Sequence, residues 1–507
     1  MTGESPIEGR RSNGRYRKFA IVGIAVLVCL PAFSRGANLL EFEVAELKGP
    51  DWSARGIRIE LELTDGIQAT LLVSELRIAG LEETVRDVRL YCPALELIAS
   101  EIICTAASIT GRFPYLERQQ LSADLRYERS DGRLGWRISG ISLAGGQLEL
   151  DGERRGAGWQ VRLAGRNIDA GMLKARLGGL TESAQGIELA GSLNWNLMVT
   201  SDEAVRPTIV GTVELASIQA SNDTGTLASD ALDGTVNGKL RRSNTGWNFE
   251  LAVQPVTGQL YVEPVFLDLS SQPFSLSLAG SWHEASGMLA IDNFQYRQPE
   301  VGEVTGSMRV DLEPEWTVRQ MDAEIRDAQL PKAYEIYLAP LLFGTPLDTL
   351  ESIGSFDADV YMEESDFRAI RVMLEGVNLD DEQQRFAIYG LDGELDWQVV
   401  SDKVQKTPAP SALQWDGGFV YGVQMGSGKI EFLTQDLDFA LLGAVRLPIL
   451  DGGLMIHVLK IARAGEPDMR IEFDARIEPI SLQALTSALG WPVFGGTSQW
   501  HTSPPQL

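Results

Sequence analysis

Alternation with a period of two runs through most of the 507 residues of this chain, and it constrains the fold more than any other feature. In GIRIELELTDG, Ile57, Ile59, Leu61 and Leu63 fall on one side, and Arg58, Glu60, Glu62 and Thr64 on the other. Side chains of an extended strand point alternately to opposite faces, so this spacing predicts strands with one apolar and one polar face. Asp65-Gly66 then supplies a turn. GWQVRLAG sets Trp159, Val161 and Leu163 against Gln160 and Arg162. GWNFELAV sets Trp247, Phe249, Leu251 and Val253 against Asn248, Glu250 and Ala252. Ile57, Ile59, Leu61, Leu63, Trp159, Val161, Leu163, Trp247, Phe249 and Leu251 are therefore candidates for one continuous apolar lining.

The units repeat. SDGRLGWRISG, ERRGAGWQVRLAG and RRSNTGWNFELAV share a charged turn followed by Gly-Trp and alternation, and Gly-Ser/Thr openings recur at Gly191, Gly211, Gly234 and Gly306. Degenerate hairpin repetition predicts a sheet that grows strand by strand. About 30 strands of ~8 residues, spaced ~4.8 Å, build a sheet of order 140 Å, which must twist and curl. The expected class is mainly β: an elongated antiparallel sheet, a few short helices and one N-terminal hydrophobic helix. Helical or turn-like interruptions are expected at GMLKARLGGLTESAQG, at an insert over 332–354, and over 481–490. In the last, Ser481 caps a helix that carries Leu482, Leu485 and Leu489 on one face and stops at Gly490. SDKVQKTPAPSALQ, 401–414, reads as an exposed loop. The expected segments are a basic tail 1–18, a signal-anchor helix 19–37, and β regions 38–257, 258–400 and 413–507.

Arg10, Arg11, Arg15, Arg17 and Lys18 precede a continuous apolar run from Phe19 to Phe33. At about 1.5 Å per residue the run reaches ~22 Å, short for a membrane span, and Ala32-Phe33-Ser34 resembles a cleavage site. A cleaved signal and a retained anchor both fit, and either exports the chain beyond residue 37. The adopted expectation is an inner-membrane anchor through residues 19–33 with the bulk of the chain in the periplasm. Cys29 lacks the small preceding residue that lipidation requires. An oxidising compartment favours a disulfide between Cys92 and Cys104, with two buried thiols as the alternative.

No constellation points to catalysis or a cofactor. His283, His457 and His501 have no partner at metal-ligand spacing. FVYGVQMGSGKIEF has Val423 and Ile430 where a phosphate loop needs glycine and a hydroxyl, so strand-turn glycines are expected. Glu363-Glu364, Asp366 and Asp380-Asp381-Glu382 lack calcium-loop spacing and read as solvated turns. The net charge of -26, with dispersed basic residues, disfavours nucleic acid as partner.

The stretches GQLYVEPVFLDLSSQPFSLSLAGSW, YLAPLLFGTPLDTLESIGSFDADV, RFAIYGLDGELDWQ, RLPILDGGLMIHVLKI and SLQALTSALGWPVFGGT occur in that order between Gly258 and Thr497. Together they resemble the AsmA-like superfamily of bacterial envelope proteins, in particular its YdbH-like branch. The resemblance implies a membrane-anchored periplasmic protein whose sheet folds into a taco-like trough and conducts phospholipid between inner and outer membranes without catalysis. It supplies no catalytic residues. Members of that branch continue in further strands after Leu-Gly-Trp-Pro, so the chain is expected to be short at its C-terminus, with an outer-membrane or periplasmic protein as possible partner. The alternative is a structural or interaction protein of the envelope that recruits partners by strand addition.

Overall fold

The computed structural model describes residues 38–491 apart from 50–51, 65, 79–82, 115, 117–118, 178–185, 202–205, 313–316, 346, 400–408 and 489. The tail and anchor 1–37, Cys29, Asp65, Leu489 and His501 lie outside the described residues. The protein is mainly β, with 73% strand and 6% helix. Among the described residues there are 30 strands. The chain divides into two compact units at Ser139/Gly140.

The first unit is a meander. Leu39–Lys48, Trp52–Leu63, Ile67–Ile78 and Val85–Cys92 pair in sequence order, each antiparallel to the last. Glu101–Arg112 and Leu121–Glu128 come next, and Leu121–Glu128 also pairs with Arg133–Leu143, the strand that contains the division. A disulfide joins Cys92 to Cys104, with Cα atoms 6.0 Å apart and both residues buried. Closing a loop of this size restricts the unfolded chain by about 3 kcal/mol on the entropic account.

The second unit repeats the meander with mostly longer strands as far as Phe386–Gln398, after which strands of 3 to 8 residues between Ser411 and Ile449 pair out of sequence order, one of these pairings being parallel. Gly246–Val262, at 17 residues, is shared by two partners: its second half pairs with Val265–Asp268 and its first half with Ser275–His283. The boundary expected at 257/258 falls inside this strand, at a point where its register against Leu227–Arg242 shifts. Hairpin turns carry the left-handed backbone that matches strand twist, as at Glu364 (φ 53°) and Ser365 (φ 65°). Tyr421 and Gly422 (φ 47° and 79°) turn between Gly417–Val420 and Val423–Met425, so Gly422 of FVYGVQMGSGKIEF serves a strand turn, while Gly428 opens the strand Gly428–Gln435.

The helices are shorter than the sequence suggests. The first is Ala170–Leu177. Within 332–354 the helical residues, among those described, are 332–333, Tyr334–Leu338, wound as a π-helix, and the α-helical turn Ala339–Leu341, and from Leu350 the segment is strand. Pro340 and the left-handed Gly344 (φ 79°) end the helical run. The last helix is Leu482–Ala488. The Ser481 hydroxyl accepts the Ala484 N–H at 3.1 Å, and Gly490 stands beyond it with φ 66°. Leu482 and Leu485 are half-buried, and the buried residue of this helix is Thr486.

Candidate functional site

The site is a face. In the second unit, cross-strand partners form a row that starts Trp195, Val213, Val236, Val253, Leu276, Tyr296. It continues through Val304, Ile325, Ala358 and Val372 to Leu395. Eleven strands at ~4.8 Å make a charge-free stripe roughly 48 Å long. From Trp195 to Ile325 every member is half-buried. The register explains this: side chains lean on their lateral neighbours, which covers their flanks, while Tyr296 and Ile325 also meet the helical insert. A parallel stripe includes Met308, Met321 and Met362 in direct cross-strand contact, side chains that adapt to irregular partners.

The sequence candidates fall on these stripes. Val161 leads through Val199, Ile209 and Leu240 to Phe249. Leu163 leads through Leu197, Gly211 and Gly238 to Leu251. Trp159 lies opposite Arg154 and Ser201, at the polar end of its strand, and Trp247 lies between Arg242 and Trp282 with the Arg242 guanidinium 5.3 Å from its ring. In the first unit Ile57, Ile59 and Leu61 face Val44, Phe42 and Leu40 on one side and Val73, Leu71 and Ala69 on the other. Leu63 faces Ile67. Ile57 and Leu61 are buried, whereas Ile59, Leu63 and the six candidates of the second unit are half-buried.

The opposite face is polar at matching positions. Asn196, Thr212, Asn237, Ala252, Ser277, Gln295 and Thr305 form its row. A shallow hollow of about 540 Å³ on this face is lined by Thr212, Asn237, Lys239, Glu250, Ser277 and Asn293 among others. Lys239 is paired to Glu250 at 3.2 Å. No group of three metal-ligating side chains occurs among the described residues. His457 is exposed at a strand irregularity between Ile456 and Val458. No helix among the described residues is long and apolar enough to cross a membrane.

One margin of the apolar face is covered. Ala333 and Ile336 of the helical insert seal Leu267, Leu269, Val301 and Ala328, with Ile325 and Phe356 packed alongside. Two tyrosines bolt the insert down. Tyr337 Oη lies 2.5 Å from Tyr296 Oη and donates to Gln298 Oε1, also at 2.5 Å. Burial pushes both phenols up and keeps them protonated. The Tyr334 hydroxyl donates to the Leu347 carbonyl at 2.6 Å and accepts the Leu350 N–H at 3.0 Å. Nearby, Arg385 donates to Asp381 from Nε (2.8 Å) and Nη2 (2.6 Å) and holds that buried carboxyl down at about 2. A second covered cluster gathers around Val377, Leu391 and Trp415.

A repeated feature was not legible in the sequence. At six mid-strand bulges, two residues oppose a single Asp or Asn, whose side-chain oxygen accepts the N–H of the left-handed bulge residue. The pairs are Ala106 with Asp124, Asn167 with Asn194, Ser217 with Asp233, Asp327 with Asp357, Gly376 with Asp392 and Gly390 with Asn378, at 2.7–3.0 Å. Their φ values are 53, 53, 50, 53, 58 and 61°. The residue after each (Ala107, Ile168, Ile218, Ala328, Val377, Leu391) is buried on the apolar side. The Ser217 N–H, then the Thr257 hydroxyl, hold the Asp233 carboxyl below the usual range. The only local trace is an Asp or Asn flanked by apolar residues, as in Leu193-Asn194-Trp195 and Phe356-Asp357-Ala358.

Comparisons with protein-family models, with curated proteins and with solved structures returned no match.

Proposed function

We propose that the protein binds and conducts phospholipid acyl chains along its apolar sheet face, without catalysis, in the manner the AsmA-like resemblance implies. The observation that carries this reading is the charge-free stripe from Trp195 to Leu395, whose members are laterally packed and only half-buried over most of its length. Such a surface has its largest gain in a hydrocarbon partner: each methylene taken from water returns about 0.8 kcal/mol, so ten return ~8 kcal/mol with no positioned polar group. Burial of the residue behind each left-handed bulge supports the apolar face as the inner side of the bends, hence a trough. The inner-membrane anchor through residues 19–33 and the periplasmic location belong to the same proposal and rest on the basic-then-apolar N-terminal sequence. Protein extracted in mild detergent should carry phospholipid at stoichiometric or higher ratio by mass spectrometry. Lipid-free protein from cells whose membranes are rich in phospholipid contradicts the reading.

A second reading has its own observation. Arg470–Glu478 pairs with Gly452–Ala462, and on it Ile471, Phe473 and Ile477 are exposed. Among the described residues this strand pairs on one side, and an edge with apolar side chains suits strand addition by an envelope partner, as in an interaction protein. Charged substitutions at Ile471 and Phe473 that abolish a pulled-down partner while bound lipid is unchanged would favour it.

A further inference from the structure

An uncovered apolar face is unstable toward closing on itself, because every contact between its two halves expels water. Side chains inside a trough therefore do not fix its width. Something on the backbone or on the outer face must.

The bulges are placed for that. Two residues against one bend a strand and strengthen its twist. A left-handed backbone costs energy for Asn167, Ser217 and Asp327, so the bend persists only where its surroundings enforce it. The N–H released at each bend is claimed by the Asp or Asn opposite, which ties the bent strand to its neighbour on the polar face. Asn serves in two of the six positions, so the acceptor oxygen matters and the charge does not. Where Ala231 (φ 47°) makes the same excursion, Gly258 stands opposite, and a Cβ there would lie 2.5 Å from the Ala231 carbonyl oxygen. Backbone contact replaces the side-chain lock at that point.

We propose that in the second unit these amide-to-Asx locks form a crease that fixes how far the sheet bends about its apolar face, and so set the width of the trough. The proposal rests on the lipid-trough reading and adds what fixes its width. Lock and apolar stripe share strands: Asp233 and Val236 lie three residues apart, one on each side of the sheet.

The test uses the full chain stripped of lipid, with spin labels at Val210 and Ser221 on either side of Ser217. Wild type and D233N, which keeps the acceptor oxygen, should give the same narrow distance. D233A should lengthen it by about 2 Å or more as the strand relaxes toward ~3.3 Å per residue. The Ser217 amide should then exchange at least tenfold faster. D357A, with labels at Asp322 and Gln329, repeats the test at a second lock. Unmoved distance and unmoved exchange in D233A and D357A overturn the crease. So does failure of both alanine variants to fold, since a lock that cannot be loosened is only part of the fold. The lipid reading is scored separately: a chain that carries no lipid yet shifts in D233A keeps the crease and loses the trough's cargo. One that carries lipid with an unmoved distance loses only the crease.

Discussion

Two parts of the same sheet treat the same sequence pattern differently. Under the helical insert, Leu267 is 7% exposed and Ala328 3%, whereas Val213, Val236 and Val253 are half-buried although their strands alternate just as regularly. The difference lies in the covering layer. Strand pairing alone closes the flanks of an apolar side chain; a second element is needed to close its top. Where the insert supplies one, the face becomes an ordinary core. Elsewhere the same face stays half-buried.

The largest contrast should come from burying a charge. Ala333→Asp places an unpaired carboxylate in the sealed cluster and should abolish folding, while Val236→Asp should leave the circular dichroism and the melting cooperative but strip co-purifying lipid. Equal damage to both would erase the distinction. Next in size, Leu269→Ala should cost about 2–5 kcal/mol by urea denaturation, and Val253→Ala under ~1 kcal/mol, since a half-buried side chain leaves little cavity. Smaller again, Tyr337→Phe removes one of two phenol hydrogen bonds to Gln298, whose Oε1 keeps Tyr296 at 3.2 Å, and should cost about 1 kcal/mol, with the insert's amides exchanging faster than those of the uncovered strands. The smallest effect is acid-dependent. The Asp381 carboxyl is lowered from 3.8 to about 2 by Arg385, so its contribution is complete above pH ~4 and disappears as pH falls toward 2. Asp381→Asn should flatten that part of the stability-pH curve and leave neutral pH behaviour of the uncovered strands unchanged.

The strands were legible because alternation is local: GWNFELAV reads as a strand from its own residues, and Phe249 and Leu251 do share a face. The ends of helices were less so. The 332–354 insert is apolar throughout, and only packing decides that Tyr334–Leu341 coils while Leu350 onward joins the sheet. The locks were invisible for a different reason. Asp357 is an unremarkable polar-face residue until Asp327, thirty residues earlier, is seen to bulge against it. Such pairing is set by register, which no single segment contains. Which stretch of the apolar face is covered was likewise unreadable, because Ala333 and Ile336 meet Leu269 and Val301 only through the fold.

The central claim is that the uncovered face carries acyl chains. A photocrosslinking amino acid at Val236, on the apolar side, and separately at its polar-side neighbour Asn237, tests it directly in cells. Phospholipid adducts are expected by mass spectrometry at 236, with none above background at 237. No adduct at 236, or equal labelling at both positions, would contradict it.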